Sequence, residues 1–158
     1  MALISPPSAE PTKAPTRRVF IGDQADRSFW KDFRAQVPRL DIVIDDGGHM
    51  PEQQIVSLEE LLPHLSPGGV YICEDIHGKF NEMAAYVAGL TRQMNAFGDS
   101  TFDKSNDDRR AAVPATPFSA ATDSIHLYPF MAVIERRKQS LPAFVSQRHG
   151  SSWQPFIK

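Results

Sequence analysis

The sequence predicts an α/β fold: a partial Rossmann-like, doubly wound sheet in which parallel strands precede an antiparallel C-terminal hairpin. Two short apolar runs, 41–45 and 70–73, each end beside a pair of carboxylates. A helical pattern separates them, which is typical of two parallel strands in one βαβ unit. Further along, 124–128 and 131–135 flank Pro129-Phe130, a spacing typical of a β-hairpin.

The first ordered element is a predicted strand at 18–23, which ends in glycine and an acid. Asp26 is a good N-cap for the helix that follows, and Pro38 ends that helix. The helix carries its large apolar side chains on one side, as a surface helix does: Phe29, Trp30, Phe33 and Val37.

The second helix begins near Pro51, because proline suits a first helical turn. Pro63 predicts a kink or stop near Leu62. Residues 66–69 form a predicted turn before the strand at 70–73, and a third helix is expected from about 81 to 97. The polar stretch 98–121 has no period and indicates a long surface loop.

Three regions are expected along the chain. Residues 1–16 hold four of the thirteen prolines, so we predict a disordered tail. Residues 17–138 form the partial α/β domain, and 139–158 form a C-terminal extension without a clear pattern.

Composition excludes several functional classes. A net charge of −2 offers no basic surface for nucleic acid or for anionic membranes. One cysteine excludes an internal disulfide framework and suits a reducing compartment, so a cytoplasmic protein is expected. No apolar stretch approaches the roughly 20 residues that span a bilayer.

The carboxylates at the strand ends carry the functional prediction. Ligands of open α/β sheets bind beyond the carboxyl ends of the strands, so Asp46, Glu74 and Asp75 should open onto one crevice. Carboxylates within about 5 Å of one another repel each other, and a bound cation relieves this repulsion. Oxygen ligands without clustered cysteines favour Mg²⁺ over zinc, with Ca²⁺ and Mn²⁺ as alternatives. His49 could act there as a general base.

Plainer interpretations compete with this one. Acidic residues at strand ends also cap helices or remain solvated, and a single histidine is more often structural than catalytic. Two acidic pairs on neighbouring strand ends favour a site.

Three segments resemble the class I S-adenosylmethionine-dependent methyltransferases, above all the metal-dependent O-methyltransferases of macrolide sugars and their cephalosporin-biosynthesis relatives. The resemblance covers about 18–138, and 124–128 with 133–137 resemble the closing hairpin of the family. Its other motifs are Ile21-Gly22-Asp23-Gln24-Ala25-Asp26, Ile44-Asp45-Asp46-Gly47-Gly48-His49 and Pro67-Gly68-Gly69-Val70-Tyr71-Ile72-Cys73-Glu74-Asp75.

The resemblance implies specific roles and partners. Asp23 and Gln24 would meet the adenine end of S-adenosylmethionine, and Asp45 would lie beside the same cofactor. Asp46, Glu74 and Asp75 would hold Mg²⁺, and His49 would take the proton of the acceptor hydroxyl, which belongs to a sugar or another natural product.

One departure from the family is large. Nothing before Arg17 resembles the two strands and glycine-rich loop that cradle the cofactor in that family, so the chain looks like its C-terminal portion. A truncated O-methyltransferase, active only if the missing N-terminal half is supplied, is the leading hypothesis. Its partners would be further copies of the chain in a homo-oligomer or a complementing chain. A non-catalytic remnant that acts as an interaction protein is the alternative, and a Mg²⁺-dependent phosphoryl-transfer domain ranks below both.

Overall fold

The computed structural model of the chain describes residues 2–4, 17–96, 98, 112–145, 147–148 and 152–153. The described helices are α1 (Arg27–Gln36), α2 (Pro51–Leu61), α3 (Glu82–Gln93) and the short α4 (Pro117–Ala121). The strands are β1 (Ala2–Ile4), β2 (Leu40–Asp45), β3 (Leu65–Cys73), β4 (Ala112–Pro114), β5 (Thr122–Tyr128), β6 (Met131–Arg136), β7 (Ala143–Val145), β8 (Gln147–Arg148) and β9 (Ser152–Trp153).

The main sheet has five strands in the order β1-β2-β3-β6-β5. β2 and β3 are parallel neighbours, which confirms the βαβ unit, and Asp45 lies opposite Cys73 at their carboxyl ends. The hairpin β5-β6 adds antiparallel to β3 and is also confirmed. The result is the predicted α/β fold with a mixed sheet.

Helix α1 begins and ends where the sequence predicts. The carboxylate of Asp26 accepts a hydrogen bond from the backbone N–H of Ser28, which caps the helix, and Val37 closes it before Pro38. α2 stops at Leu61, and a single 3₁₀ turn (Leu62–His64) follows because Pro63 cannot continue the α-helical hydrogen bonds.

The hydrophobic core lies between one face of the sheet and helices α1 to α3. Residues of one strand face, such as Val43 and Tyr71, are buried, whereas Ile42 on the opposite face is 39% exposed. The members of this core that lie 2% exposed or less include Trp30, Phe33, Leu58, Leu61, Leu65, Met83, Val87, Ala132 and Ile134.

The N-terminal part of the fold differs from expectation. The prediction of a strand over 18–23 is wrong, because the described chain has no strand there and Ile21 is 94% exposed. A strand needs a partner edge, and the free edge of β2 is paired instead with β1, antiparallel. Three residues of the predicted disordered tail are therefore in a strand, and 5–16 lie outside the described residues.

Other boundaries shift as well. β3 already begins at Leu65, so the predicted turn at 66–69 is a bulged stretch of strand with Gly68 at a φ of 81°. α3 ends at Gln93, earlier than predicted. The expected loop 98–121 contains β4 and α4, while 99–111 lie outside the described residues.

The C-terminal extension contributes further short strands. β7 pairs with β4 and β8 pairs with β9, each antiparallel. Among the described residues, no helix is both long and apolar enough to cross a membrane.

Candidate functional site

Two turns at the same end of the sheet build the site. The first follows β2 and carries Asp46 and His49, both exposed, before α2 begins at Pro51. The second follows β3 and carries Glu74 and Asp75. Because β2 and β3 are parallel neighbours, both turns open at the carboxyl edge of the sheet.

The second turn has an unusual backbone. Asp75 has a φ of 54°, in the left-handed region that few residues other than glycine adopt. The backbone N–H of Glu74 donates to the carbonyl of Asp45 at 3.0 Å, and that of Ile76 donates to the carbonyl of Phe130 at 2.9 Å. The hydrogen bonds on both sides hold Asp75 in this conformation.

Three side chains from the two turns lie close together at a place that we call the mouth of the site: Asp46, His49 and Asp75. Each offers one ligand atom, and these atoms lie within 4.8 Å of one another. The Nδ1 of His49 lies 3.5 Å from Oδ2 of Asp75, and both side chains are about half exposed. Two carboxylates and an imidazole in that space can hold a hard divalent cation, and the carboxylates match the oxygen ligands that Mg²⁺ prefers.

The carboxylate of Glu74 is not part of that three-residue group. Its backbone is nevertheless fixed beside the group, because the side-chain amide of Gln54 donates to the Glu74 carbonyl at 2.8 Å. Gln54 lies on α2 and is 1% exposed. The structure thus brings together two of the three predicted metal-binding carboxylates with the predicted base, and places the third in the same turn.

Asp45 lies beneath this mouth and is only 1% exposed. The hydroxyl of Tyr71 donates to its Oδ2 at 2.6 Å, and the amide of Gln24 donates to its Oδ1. Burial raises the pKa of Asp45, and the hydrogen bonds from Tyr71 and Gln24 partly offset that rise. Burial, and then the Asp45 charge, raise the pKa of Tyr71 well above its ordinary value.

The three residues predicted to contact the cofactor differ in whether their side-chain polar atoms already have hydrogen-bond partners within the chain. They are Asp23, Gln24 and Asp45. Gln24 and Asp45 use side-chain polar atoms for each other and for the first turn. Asp23 is exposed, with one carboxylate oxygen accepting from the backbone N–H of Ala25 at 2.9 Å. It lines an open groove together with Met50 and Gln53, next to the first turn.

Comparisons with known proteins agree with the fold. The chain is 27% identical over 137 residues to the 8-demethyl-8-alpha-L-rhamnosyl tetracenomycin-C 2'-O-methyltransferase of Streptomyces olivaceus, an alignment that covers 81% of this chain and 35% of that enzyme. It is 43% identical over 56 residues to the demethylmacrocin O-methyltransferase of Streptomyces fradiae, covering 35% of this chain and 14% of that one. The chain is thus similar in sequence to these O-methyltransferases.

The structural comparison supports the same fold. The MycE methyltransferase of the mycinamycin biosynthetic pathway, solved in complex with Mg and SAH, aligns with a TM-score of 0.60 at 22% identity and covers 76% of this chain and 33% of that one. The same enzyme was also solved with mycinamycin VI. No family model matches the chain. The chain spans about a third of the length of the tetracenomycin relative and of MycE.

Two supporting residues were missed by the sequence analysis. Tyr71 alternates with Cys73 in a buried strand, and a buried tyrosine hydroxyl usually finds a partner, so its position was a usable signal for a polar contact. Gln54 lies on the sheet-facing side of α2 among apolar residues, and a polar side chain there was a second signal.

Proposed function

We propose that this chain is part of a Mg²⁺-assisted, S-adenosylmethionine-dependent O-methyltransferase that acts on a sugar hydroxyl or a similar natural-product hydroxyl. The observation that carries the proposal is the group formed by Asp46, His49 and Asp75 where two adjacent parallel strands end. The sugar O-methyltransferase relatives and the Mg and SAH bound to MycE support it.

The carboxylates would hold the metal. Asp46 and Asp75 present oxygens within the three-residue group, and Glu74, in the same turn as Asp75, is the third proposed ligand. When bound, Mg²⁺ supplies Lewis-acid assistance, which lowers the pKa of an acceptor hydroxyl and orients it.

His49 is the proposed general base. Its exposed side chain lies beside Asp75, with Nδ1 3.5 Å from Oδ2 of that residue, and it would take the proton of the acceptor hydroxyl. The oxygen that loses this proton would take the methyl group of S-adenosylmethionine, and the methyl–sulfur bond would break with its electron pair left on sulfur.

Asp23 is the proposed cofactor contact at the surface, since its carboxylate is exposed in the groove beside the first turn. Asp45 would lie beside the cofactor, as a buried charge beneath the same turn. Because the chain spans about a third of the length of the tetracenomycin relative and of MycE, the methyl-transfer activity is proposed for this chain together with the remaining part of such an enzyme.

A metal titration of the purified full chain tests the proposal. Mn²⁺, followed by electron paramagnetic resonance, should bind the wild-type chain and be displaced by excess Mg²⁺. Asp46→Asn and Asp75→Asn should each weaken binding strongly, because each removes a charged oxygen ligand. Asp32→Asn is the matched control, as Asp32 is an exposed acid on α1. Absence of Mn²⁺ binding by the wild-type chain would refute the metal site.

A non-catalytic interaction protein is the second candidate. It is favoured by the partly exposed apolar face of the sheet, where Ile42 is 39% exposed. A chain that binds neither metal nor S-adenosylmethionine but forms a stable complex through that face would support this candidate.

A further inference from the structure

The side chain of Gln24 connects the buried Asp45 with the exposed turn that carries Asp46 and His49. Its amide nitrogen donates to Oδ1 of the buried Asp45, and its amide oxygen accepts from the backbone N–H of Gly48 at 2.9 Å. Gly48 lies between Asp46 and His49, in the first turn. One side chain therefore ties the turn that carries two members of the site to a fixed charge inside the core.

Gln24 is itself held in place from behind. The indole N–H of Trp30 donates to the backbone carbonyl of Gln24 at 2.8 Å. Trp30 is 2% exposed and packs edge-on against Phe33 in the core. The backbone of Gln24 is therefore fixed to α1.

The turn is shaped to receive this amide. A Cβ at position 47 would collide with Oε1 of Gln24, so glycine at that position leaves the space that the side chain occupies. Gly47 does not have a positive φ, so its backbone would accept alanine, and the collision with Gln24 is the specific obstacle to a side chain there.

We propose that Gln24 is a positioning residue for the metal site: it sets the Asp46–His49 turn so that these side chains face Asp75. The inference rests on the proposed function. It differs from a direct contact between Gln24 and the cofactor, because both ends of the amide are engaged within the chain. Outer groups that orient metal ligands typically change metal affinity 10- to 100-fold when removed.

The test compares Gln24→Met with Gln36→Met in the full chain by Mn²⁺ titration. Methionine keeps the length of the side chain and removes both hydrogen bonds. Gln36 is exposed, and its amide contacts only the backbone of its own helix, at the carbonyl of Asp32, so it is the matched control. We expect Gln24→Met to weaken Mn²⁺ binding about 10- to 100-fold and Gln36→Met to leave it unchanged.

Hydrogen exchange of the Gly48 amide separates positioning from a general loss of stability. In Gln24→Met this amide should lose protection while amides in β2 and β3 keep theirs. Loss of protection throughout the sheet would assign Gln24 a purely structural role and overturn the inference.

Gly47→Ala gives a second route: it keeps Gln24 in the chain, so the single variant serves if Gln24→Met folds poorly, and a double-mutant cycle extends the test. Alone, Gly47→Ala should weaken Mn²⁺ binding because it displaces the Gln24 amide. In the Gln24→Ala background the obstacle is gone, so Gly47→Ala should add almost nothing. Fully additive losses would overturn the inference.

The outcomes separate this inference from the function on which it rests. Equal Mn²⁺ binding by wild type and Gln24→Met overturns the positioning role alone. Weakened S-adenosylmethionine binding with unchanged Mn²⁺ binding assigns Gln24 to the cofactor and also overturns it. No Mn²⁺ binding by the wild-type chain overturns the metal site and this inference together.

Discussion

The hydroxyl of Tyr71 and the carboxylate of Asp45 meet at 2.6 Å inside the core. Tyr71 lies opposite Val43 in the parallel pair β2-β3, so Asp45 is its diagonal neighbour on the same buried face. The contact places a negative charge directly beneath the turn that carries Asp46 and His49.

Tyr71→Phe should destabilise the protein, because Asp45 would lose a hydrogen-bond donor where it is 1% exposed. A buried polar group left without its partner costs about 1–3 kcal/mol. Thermal and urea unfolding measure this loss. Tyr86→Phe is the matched control: its hydroxyl donates to Glu59 at 2.8 Å in a partly exposed place, so the cost should be smaller. Equal costs for the two variants would contradict the special position of Tyr71.

Gly69→Ala and Gly89→Ala should have opposite effects on stability. A Cβ at 69 would lie 2.9–3.1 Å from the carbonyl oxygens of Ser66, Asp41 and Leu40, and backbone cannot move aside cheaply. At 89, inside α3, nothing lies within 4 Å, and alanine is the better helix former by about 1 kcal/mol. Urea unfolding should therefore show a loss for the first and a gain for the second. A gain for Gly69→Ala would contradict the close approach of β2 to the bulge in β3.

Cys73 should resist thiol reagents in the folded protein. It is the only cysteine, it is 1% exposed in β3, and burial raises the pKa of its thiol to about 12. Mass spectrometry should show no labelling of the native chain at mildly alkaline pH and complete labelling in guanidinium chloride. Equally fast labelling in both would mean that β3 is not a central strand.

The strand pair that positions the site was predictable because its signal is local. Residues 41–45 and 70–73 are apolar runs separated by one helical pattern, and that order admits few topologies. The segment 18–23 has a similar local pattern but forms no strand, because a strand also depends on a free partner edge. Which strands pair depends on the whole fold, so the sequence of one segment does not predict it.

The sequence predicted that acidic residues would meet at the strand ends, but it did not predict every contact within the site. Acids at the strand ends indicated a crevice, and Asp46 and Asp75 do meet there. The position of Glu74 outside the three-residue group was not predictable, because the left-handed backbone of Asp75 in the same turn has no signal in the sequence. The Gln24 bridge depends on how α1 packs, which the sequence pattern does not specify.

Acid should weaken the contact between α1 and α2. Arg27 pairs with Glu59 and, at 2.8 Å, with Glu60, and Arg34 also pairs with Glu60. The hydrogen bond from Arg27 lowers the pKa of Glu59. Burial raises the pKa of Glu60, but its hydrogen bonds from Arg34 and Arg27 outweigh that effect and lower it overall.

Because both pKa values lie lower in the folded state than in the unfolded chain, these carboxylates stabilise the fold above the ordinary glutamate value. That contribution disappears as the pH falls through the lowered values. The double variant Glu59→Gln/Glu60→Gln should therefore lose less stability than wild type between about pH 5 and pH 3, as followed by Tm. Asp32→Asn, an exposed acid on α1, should keep the wild-type slope. A stabilising carboxylate with a lowered pKa must bind a proton as the chain unfolds in acid, so it makes Tm depend on pH. Identical slopes of Tm against pH for wild type and the double variant would therefore show that these ion pairs do not couple the two helices.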